Sequence, residues 1–244
     1  MCTDCGCAAP DHHHDHEHGP RTLKVEESLL AKNDRLAERN RGRFGAFGLL
    51  VLNLVSSPGS GKTSILERTL GDLGGELGFA VLEGDQQTAN DADRIAATGV
   101  PVKQINTGAG CHLDAHMVGH GVEGFDLAAT DLLLVENVGN LVCPASFDLG
   151  EDHKVAVLSV TEGEDKPLKY PHMFRAADIL LINKIDLLPH LRFDLEKCKS
   201  YARQVNPEIR IFELSCLSGE GMEGWYDWLR ESVAEKKPSR QPRA

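Results

Sequence analysis

Cysteine and histidine are concentrated at the start of this chain, where they could bind a transition metal. Three thiols lie within seven residues, at Cys2, Cys5 and Cys7, so one short turn can surround one ion. Thiolates suit Ni(II), Zn(II) or Cu(I). Five histidines follow and would add imidazole donors: His12, His13, His14, His16 and His18. An accidental cluster or a purification tag is the alternative, but the interrupted acidic pattern argues against a tag. We therefore predict a metal-binding tail.

A second candidate metal site combines Cys111 and His112, in a glycine-containing loop, with Cys143. The alternative is that both cysteines are small buried hydrophobic residues, as free cysteine often is. The adjacent histidine, and the position of Cys143 seven residues after Glu136, favour a metal site. A loop that moves when a γ-phosphate is lost would then also move a metal ligand. Nucleotide hydrolysis could thereby release or transfer the ion.

A glycine-rich segment follows the first apolar run and precedes a helical stretch, which is the context of a phosphate-binding loop. Its sequence is Ser56-Ser57-Pro58-Gly59-Ser60-Gly61-Lys62-Thr63. The glycines let backbone N–H groups converge on one anion, Lys62 adds positive charge, and Thr63 offers a hydroxyl to Mg²⁺. An ordinary βα turn is the alternative, and Ser56 replaces the glycine of the generic pattern. The predicted nucleotide ligands here are Gly59, Ser60, Gly61, Lys62, Thr63 and Ser64.

A second nucleotide signal, Asn183-Lys184-Ile185-Asp186, directly follows an apolar run. A carboxylate at Asp186 can accept hydrogens from guanine N1 and N2, whereas adenine offers no such pair of donors. Alone, the pattern also occurs in helix caps and turns, but its place in the same predicted sheet as the phosphate loop favours GTP over ATP. Ser215 and Cys216 follow the last strand and could contact the base through backbone groups, or form an ordinary loop.

Two carboxylates, Asp85 and Glu136, each follow a predicted strand and could hold Mg²⁺ beside the phosphates. Capping of a helix or turn is the alternative. The backbone of Gly139 could sense a γ-phosphate. The predicted catalytic residues are Lys62, Thr63, Asp85 and Glu136, and the sequence indicates no general base.

Alternating strands and helices must position these residues, and the alternation predicts an α/β fold. Strands are expected at Leu49–Val55, Ala80–Leu82, Val102–Ile105, Leu132–Val135, Val155–Val160, Ile179–Ile182 and Ile209–Leu214. Helices are expected at Lys62–Leu73, Ala92–Ala97, Asp114–His120, Pro171–Ala176, Asp194–Val205 and Gly221–Ala234, after a solvated helix at Val25–Phe44. This order predicts a doubly wound, mostly parallel sheet of the P-loop NTPase type, with ligands at the carboxyl ends of its strands.

The predicted domain organisation is simple for a chain of 244 residues. Residues 1–20 form a flexible, disordered metal-binding tail, 21–46 a helical segment, 47–234 the GTPase domain and 235–244 a disordered end. A formal net charge of -11 argues against nucleic-acid and anionic-membrane partners, because a negative surface repels phosphates. With no apolar span or signal sequence recognised, we expect a cytoplasmic protein whose cysteines are reduced.

The combined motifs closely resemble the HypB family, the nickel-incorporation GTPases of nickel–iron hydrogenase maturation. The likeness covers residues from about 25 to 229. The first seven residues of the chain also resemble a nickel-binding motif that is found in part of that family. It rests on the phosphate loop, Asn183–Asp186 and four further segments: Glu83–Asp85, Gly110–His112, Glu136–Pro144 (Glu-Asn-Val-Gly-Asn-Leu-Val-Cys-Pro) and Thr161–Pro167 (Thr-Glu-Gly-Glu-Asp-Lys-Pro).

The resemblance implies a GTPase that delivers Ni²⁺ to the hydrogenase large-subunit precursor, with GTP or GDP and Mg²⁺ as ligands. It also implies nucleotide-dependent homodimerisation and partnership with the zinc-containing accessory protein HypA. Cys111, His112 and Cys143 match the family's G-domain metal ligands, which bind nickel or zinc and can meet across the dimer interface. Whether the histidines of the tail store nickel or only transfer it stays open.

Three other functions fit parts of the sequence. A P-loop kinase or ligase would use the nucleotide for small-molecule chemistry, but Asn183–Asp186 argues against the ATP that most such enzymes use. A metal buffer with a vestigial nucleotide site conflicts with an intact phosphate loop. A related chaperone for urease or cobalamin enzymes is the nearest competitor, and the long match at Glu136–Pro144 argues against it.

Overall fold

The computed structural model describes residues 20–85, 90–108 and 110–237. Its seven strands are β1 (Leu50–Ser56), β2 (Phe79–Asp85), β3 (Val102–Asn106), β4 (Leu132–Gly139), β5 (His153–Ser159), β6 (Ile179–Asn183) and β7 (Arg210–Glu213). The described α-helices are α1 (Pro20–Phe47), α2 (Lys62–Leu73), α3 (Asn90–Ala96), α4 (Ala115–Gly121), α5 (Lys166–Lys169), α6 (Pro171–Ala176), α7 (Leu195–Val205) and α8 (Met222–Lys236). Short 3-10 helices lie at Cys143–Ser146 and Ile185–His190.

The strands form one sheet in the order β3-β2-β4-β1-β5-β6-β7, and their pairings are parallel. The central strand β1 has β4 on one side and β5 on the other, so the winding direction changes there. Ligands of such sheets bind outside the carboxyl ends of the strands at this switch point. The predicted doubly wound parallel fold is confirmed, with a strand at each of the seven predicted places.

Burial on both faces explains why the central strands read as continuous apolar runs. Every residue of β1 is buried, as are the first seven residues of β4. One face of the sheet packs against α2 and α8, where Trp225 is 1 % exposed, and the other face packs against α1, α4, α6 and α7. Parallel sheets covered on both sides need this composition, because neither face meets water.

Helix α1 is longer than predicted and is not simply solvated. Its face bearing Asn33, Ala37, Asn40 and Phe44 is buried against the domain. Asn33 accepts a hydrogen bond from the backbone N–H of Ala115 at 2.9 Å, and Asn40 Nδ2 donates to the Ala115 carbonyl at 2.7 Å. Because two of the four buried positions are polar, the pattern looked like a solvated helix.

Some sequence predictions concern the two ends of the polypeptide. The tail with Cys2, Cys5 and Cys7 lies outside the described residues, as do the last seven residues of the chain. Helix α8 continues to Lys236, two residues further than predicted. Among the helices that the structure describes, none combines the length and apolar composition needed to cross a membrane.

Candidate nucleotide and metal site

The loop between β1 and α2 has the backbone conformation of an anion-binding loop. Gly59 and Gly61 have φ angles of 78° and 96°, in the left-handed region that favours glycine. Gly61 is also crowded, since a Cβ atom there would lie 2.5 Å from Asn183 Nδ2. Helix α2 begins at Lys62, so its free N–H groups and positive dipole end face the same space.

Residues at the end of β6 hold this loop from one side. Asn183 Nδ2 donates to the Ser60 carbonyl at 3.0 Å, and Lys184 Nζ donates to the Gly59 carbonyl at 2.8 Å. Within the loop, Lys62 Nζ donates to Ser56 Oγ at 3.1 Å. The serine that replaces the generic glycine therefore contacts the loop lysine.

Glu162 and Lys166 hold the loop from another side, and sequence reasoning did not assign them to the site. Ser60 Oγ donates to Glu162 Oε1 at 3.0 Å, while Lys166 Nζ lies 3.0 Å from Glu162 Oε2 and donates to Ser57 Oγ at 3.0 Å. Burial alone would raise the pKa of Glu162, but hydrogen bonds from the Ser159 N–H and Lys166 outweigh it and lower that pKa. The only signal for this pair was their place in the Thr161–Pro167 segment.

The predicted magnesium ligands lie together at the mouth of the phosphate loop. Thr63 Oγ1 donates to Glu136 Oε1 at 2.6 Å, and Asp85 at the end of β2 lines the same pocket. Glu136 is 3 % exposed, and its Oε2 has no hydrogen-bond partner among the residues described. Burial raises the pKa of Glu136, although Lys62 and Thr63 oppose that rise.

A further carboxylate, Glu83, lies opposite Glu136 in the β2–β4 register and is equally buried. Burial first, and then the charge of Glu136, raises the pKa of Glu83 to about 8. Its Oε2 also lacks a partner in the described part of the chain. Two buried carboxylate oxygens without partners fit a divalent cation, which takes oxygen ligands and offsets such charge.

A base-sized pocket opens beside the phosphate loop, and the sequence-predicted base contacts line it. Its walls come from Ser64, Glu67, Arg68, Lys184, Asp186, Leu187, Ser215, Cys216 and Leu217. Asp186 lines this pocket, and its buried Oδ1 has no hydrogen-bond partner in the described ranges. Asn183 Oδ1 accepts from the N–H groups of Lys184 and Cys216, at 2.7 and 3.3 Å, and so joins the two loops.

The structure brings Cys111, His112 and Cys143 together, with one ligand atom of each within 4.8 Å of the others. Cys111 Sγ lies 3.5 Å from His112 Nδ1. Burial lowers the pKa of His112, which favours the neutral imidazole that binds metals. Two sulfur donors and one nitrogen suit nickel or zinc, and three protein ligands leave a coordination position open.

Strand β4 joins this metal cluster to the phosphate loop. At its end Gly139 lies so close to the loop that a Cβ atom would be 3.2 Å from Pro58 Cγ. The next residue, Asn140, donates to the Cys111 carbonyl at 3.3 Å. The phosphate loop and the segment that carries Cys111 are therefore connected through two consecutive residues, Gly139 and Asn140.

Among the described residues, His116, His120 and Cys198 do not join the cluster. His116 and His120 on α4 stack edge to face at 4.5 Å between ring centroids, and His120 lies 3.2 Å from Glu123 Oε1. Cys198 is fully buried on α7, and burial raises the pKa of its thiol to about 12. It is a core residue, packed among the buried side chains of α6, α7 and β6.

The fold, the phosphate loop and the adjacent carboxylates together define a P-loop nucleotide-binding protein, and a Cys/His cluster is connected to the loop through Gly139 and Asn140. The family model described as CobW/HypB/UreG, nucleotide-binding domain, matches residues 50–213. The hydrogenase maturation factor HypB of Azotobacter vinelandii is 65 % identical over 209 residues, which cover 86 % of this chain and 69 % of the relative.

Solved structures agree with the sequence comparison. HypB from Helicobacter pylori, solved in complex with nickel, is 41 % identical, with a TM-score of 0.80 over 87 % of this chain and 100 % of that one. HypB from Archaeoglobus fulgidus is 42 % identical, with a TM-score of 0.78 over 83 % of this chain and 99 % of that one. The chain belongs to the HypB family of hydrogenase maturation factors.

Proposed function

We propose that this protein is a GTP-hydrolysing nickel metallochaperone that binds Ni(II) and assists its insertion into the precursor of the nickel–iron hydrogenase large subunit. The observation that carries the proposal is the position of two consecutive residues at the end of β4: Gly139 lies against Pro58 of the phosphate loop, and Asn140 donates to the carbonyl of Cys111. The maturation role of the relatives, and the nickel in the Helicobacter pylori structure, support it.

The proposed reaction converts GTP and water into GDP and phosphate. Lys62 and the loop N–H groups would hold the β- and γ-phosphates and stabilise the charge that develops as the bond to the leaving oxygen lengthens. Thr63, Asp85 and Glu136 would hold Mg²⁺, which supplies further charge neutralisation when bound. The backbone of Gly139 would contact the γ-phosphate. Among the described residues no side chain is assigned as general base, so the predicted turnover is slow and regulatory.

Guanine recognition is proposed for the pocket beside the loop. Asp186 would accept the N1 and N2 hydrogens, and Asn183 would keep both flanking loops in place. Lys184, Ser215 and Cys216 would cover the base. An adenine there would leave the Asp186 carboxylate without donors, and an unpaired buried acceptor costs about 1–3 kcal/mol.

Nickel is proposed as cargo at two places in the chain. Cys111, His112 and Cys143 form the site that responds to nucleotide, and zinc is an alternative occupant because both ions accept these donors. Cys2, Cys5 and Cys7 form the other proposed nickel site, in a segment at 1–20 that we propose to be flexible. The proposed domain organisation then continues with a helical segment at 21–46, the GTPase domain at 47–234 and a C-terminal end at 235–244. The proposed partners are HypA, the hydrogenase precursor and, with GTP, a second copy of this chain, all in the cytoplasm.

The experiment is a Ni²⁺ titration of the full-length protein and of a tail variant carrying Cys2→Ser, Cys5→Ser and Cys7→Ser. Each is measured with GDP and with a non-hydrolysable GTP analogue, by thiolate-to-nickel absorption and by bound metal. We expect two sites, one lost in the tail variant and the other dependent on nucleotide. A third protein, the tail variant with Cys111→Ser and Cys143→Ser, should lose the nucleotide-dependent site. Metal binding that ignores all these changes would contradict the proposal.

A further inference from the structure

Four buried polar side chains lie beneath the metal cluster, on strands and a loop that are otherwise apolar. They are Asn53 on β1, Asn137 on β4, Lys154 on β5 and Glu151 in the loop before β5, and we refer to them as the buried polar chain. Asn53 and Asn137 are 0 % and 2 % exposed, and the Lys154 and Glu151 side chains are 8 % and 7 % exposed. Burying polar groups costs free energy unless hydrogen bonds replace water, so their partners are informative.

One end of the buried polar chain contacts the Cys111 side of the metal site. Asn137 Oδ1 accepts from the backbone N–H of Leu113 at 3.0 Å, directly after His112. It also accepts from the N–H of Val138 at 3.0 Å, while Asn137 Nδ2 donates to Asn53 Oδ1 at 3.2 Å. Asn137 therefore fixes the loop that carries Cys111 and His112 to the interior of β4, next to Glu136.

The other end contacts the Cys143 side. Lys154 Nζ donates to the carbonyls of Pro144 and Phe147, at 2.9 and 3.1 Å, in the turn that begins at Cys143. Hydrogen bonds from a charged donor are stronger than neutral ones, so a buried ammonium that donates to several carbonyls holds this turn. Phe147 in turn packs against His112 with 3.9 Å between ring centroids and a tilt of 39° between the ring planes.

Asn53 and Glu151, in the middle of the buried polar chain, connect its two ends. Asn53 Nδ2 donates to Glu151 Oε1 at 3.0 Å, and that oxygen lies 3.7 Å from Lys154 Nζ. Glu151 Oε2 also accepts from the N–H of Leu149 at 2.6 Å. A continuous set of polar contacts thus runs from the loop after His112, through the centre of the sheet, to the turn after Cys143.

We propose that the buried polar chain sets the position of Cys143 relative to Cys111 and His112, so that its four members are positioning residues for the metal site. The proposal rests on the proposed metal-binding role of those three ligands. Outer residues that orient metal ligands change affinity when they are mutated, by about 10- to 100-fold in known sites. This one set of contacts joins the loop that carries Cys111 and His112 to the turn that begins at Cys143. If one member is removed, these two parts of the metal site can move relative to each other.

The test uses full-length protein with the three tail cysteines changed to serine, so that Ni²⁺ binding reports on the site formed by Cys111, His112 and Cys143. Lys154→Met and Asn137→Ala each interrupt one end of the buried polar chain, and Asn53→Ser interrupts its middle while a small polar side chain remains at that position. We expect each to weaken Ni²⁺ binding by about 10-fold or more and to change the thiolate-to-nickel absorption. The double variant of Asn137 and Lys154 should lose less than the product of the single losses, because the residues act as one unit.

Two matched controls separate positioning from general stability. Lys199→Met removes a lysine that is 14 % exposed and pairs with Glu213, and Asn206→Ala removes an amide that donates to the carbonyls of Phe174 and Ala177. Both should reduce thermal stability yet leave Ni²⁺ affinity and absorption unchanged. Fluorescent GDP binding checks that each variant is folded, and Asn53→Ser decides the matter if Lys154→Met does not fold.

The possible results separate the two proposals. If changing Cys111 and Cys143 to serine leaves Ni²⁺ binding intact, the proposed metal site itself is wrong. If those changes abolish binding but variants of the buried polar chain behave like Lys199→Met and Asn206→Ala, only the positioning role is overturned. Single losses that simply multiply in the double variant would also overturn a connected chain.

Discussion

The phosphate loop and the metal cluster lie at the same edge of the sheet, but they are built in opposite ways. The loop is one contiguous segment whose shape follows from its own glycines, at φ angles of 78° and 96°, and from the helix that starts at Lys62. The cluster joins two segments separated by α4 and β4, and its ligands occupy ordinary loop and turn positions. Local backbone chemistry thus sets the conformation of the phosphate loop, which distant residues such as Asn183 and Glu162 then hold in place. The Cys/His cluster, in contrast, exists only because long-range contacts bring its two segments together.

Substitution of Gly61 gives the strongest test of this comparison. In Gly61→Ala, a Cβ atom at a φ of 96° would lie 2.5 Å from Asn183 Nδ2, so we expect GDP binding to weaken by about 100-fold or more. Ni²⁺ binding to the nucleotide-free tail variant should change little. The control is Gly71→Ala in helix α2, which directly follows Gly61 in the sequence. A Cβ atom at Gly71 meets nothing within 4 Å. That variant should keep GDP affinity and gain up to about 1 kcal/mol of stability. Equal effects of the two variants would contradict a conformational requirement.

Asp186 tests whether the base pocket is as independent of the metal cluster as the loop is. Asp186→Ala removes the acceptor for the guanine hydrogens, and we expect GDP affinity to fall by about 10- to 100-fold, the loss of charge-assisted hydrogen bonds. Competition binding with GDP and ADP measures the preference, which should decrease. Asp165→Ala, an exposed carboxylate paired with Lys169, is the control and should leave both affinities unchanged. A retained preference for GDP would show that other groups read the base.

Asn140 sharpens the comparison because it lies between the two sites. Asn140→Ala removes two hydrogen bonds, the 3.3 Å bond that Asn140 donates to the Cys111 carbonyl and the 2.8 Å bond that it accepts from the N–H of Val142, next to Cys143. Each is worth up to roughly 1 kcal/mol, so we expect a loss of about 5- to 30-fold in Ni²⁺ affinity. GDP affinity should stay the same, since Asn140 does not line the nucleotide pocket. Isothermal titration of both ligands checks this. If GDP affinity fell more than Ni²⁺ affinity, Asn140 would act mainly on the nucleotide site, and the prediction would be wrong.

Cys198 gives the smallest effect on ligands. Cys198→Ala replaces a fully buried thiol in the core and should cost about 1–2 kcal/mol of stability through the space left behind. Urea unfolding measures that cost, while Ni²⁺ stoichiometry should not change. A lost metal equivalent would mean that the thiol, despite its burial, belongs to a site.

These differences explain what could be predicted from the sequence. Gly59–Thr63 and Asn183–Asp186 could be predicted as nucleotide contacts because the relevant residue types are adjacent in the sequence. Cys111, His112 and Cys143 could be predicted as candidate ligands because cysteine and histidine are chemically distinctive, and the structure brings them together although they are distant in sequence. The parallel sheet followed from apolar runs that alternate with helices.

Residues that support the sites were missed for a physical reason. Asn53 and Lys154 are single polar residues within apolar strands, and only the fold shows that they face Glu151 from either side. Glu162 and Lys166 act on the phosphate loop from more than a hundred positions away. Asn33 and Asn40 made α1 look solvated, because pattern reasoning assigns a polar residue to water unless a buried partner is known.

The anchoring of α1 through Asn33 has a consequence for transport within one molecule. About a dozen residues of helix between Pro20 and Asn33 span roughly 20 Å. The similar length of chain between Cys7 and Pro20 can extend over roughly 45 Å at most. The tail is therefore long enough to fold back along its own helix, and under the proposed function nickel could pass from tail to domain without a second molecule. Such a transfer has an effective concentration set by the tether, so its rate would be independent of how much protein is present.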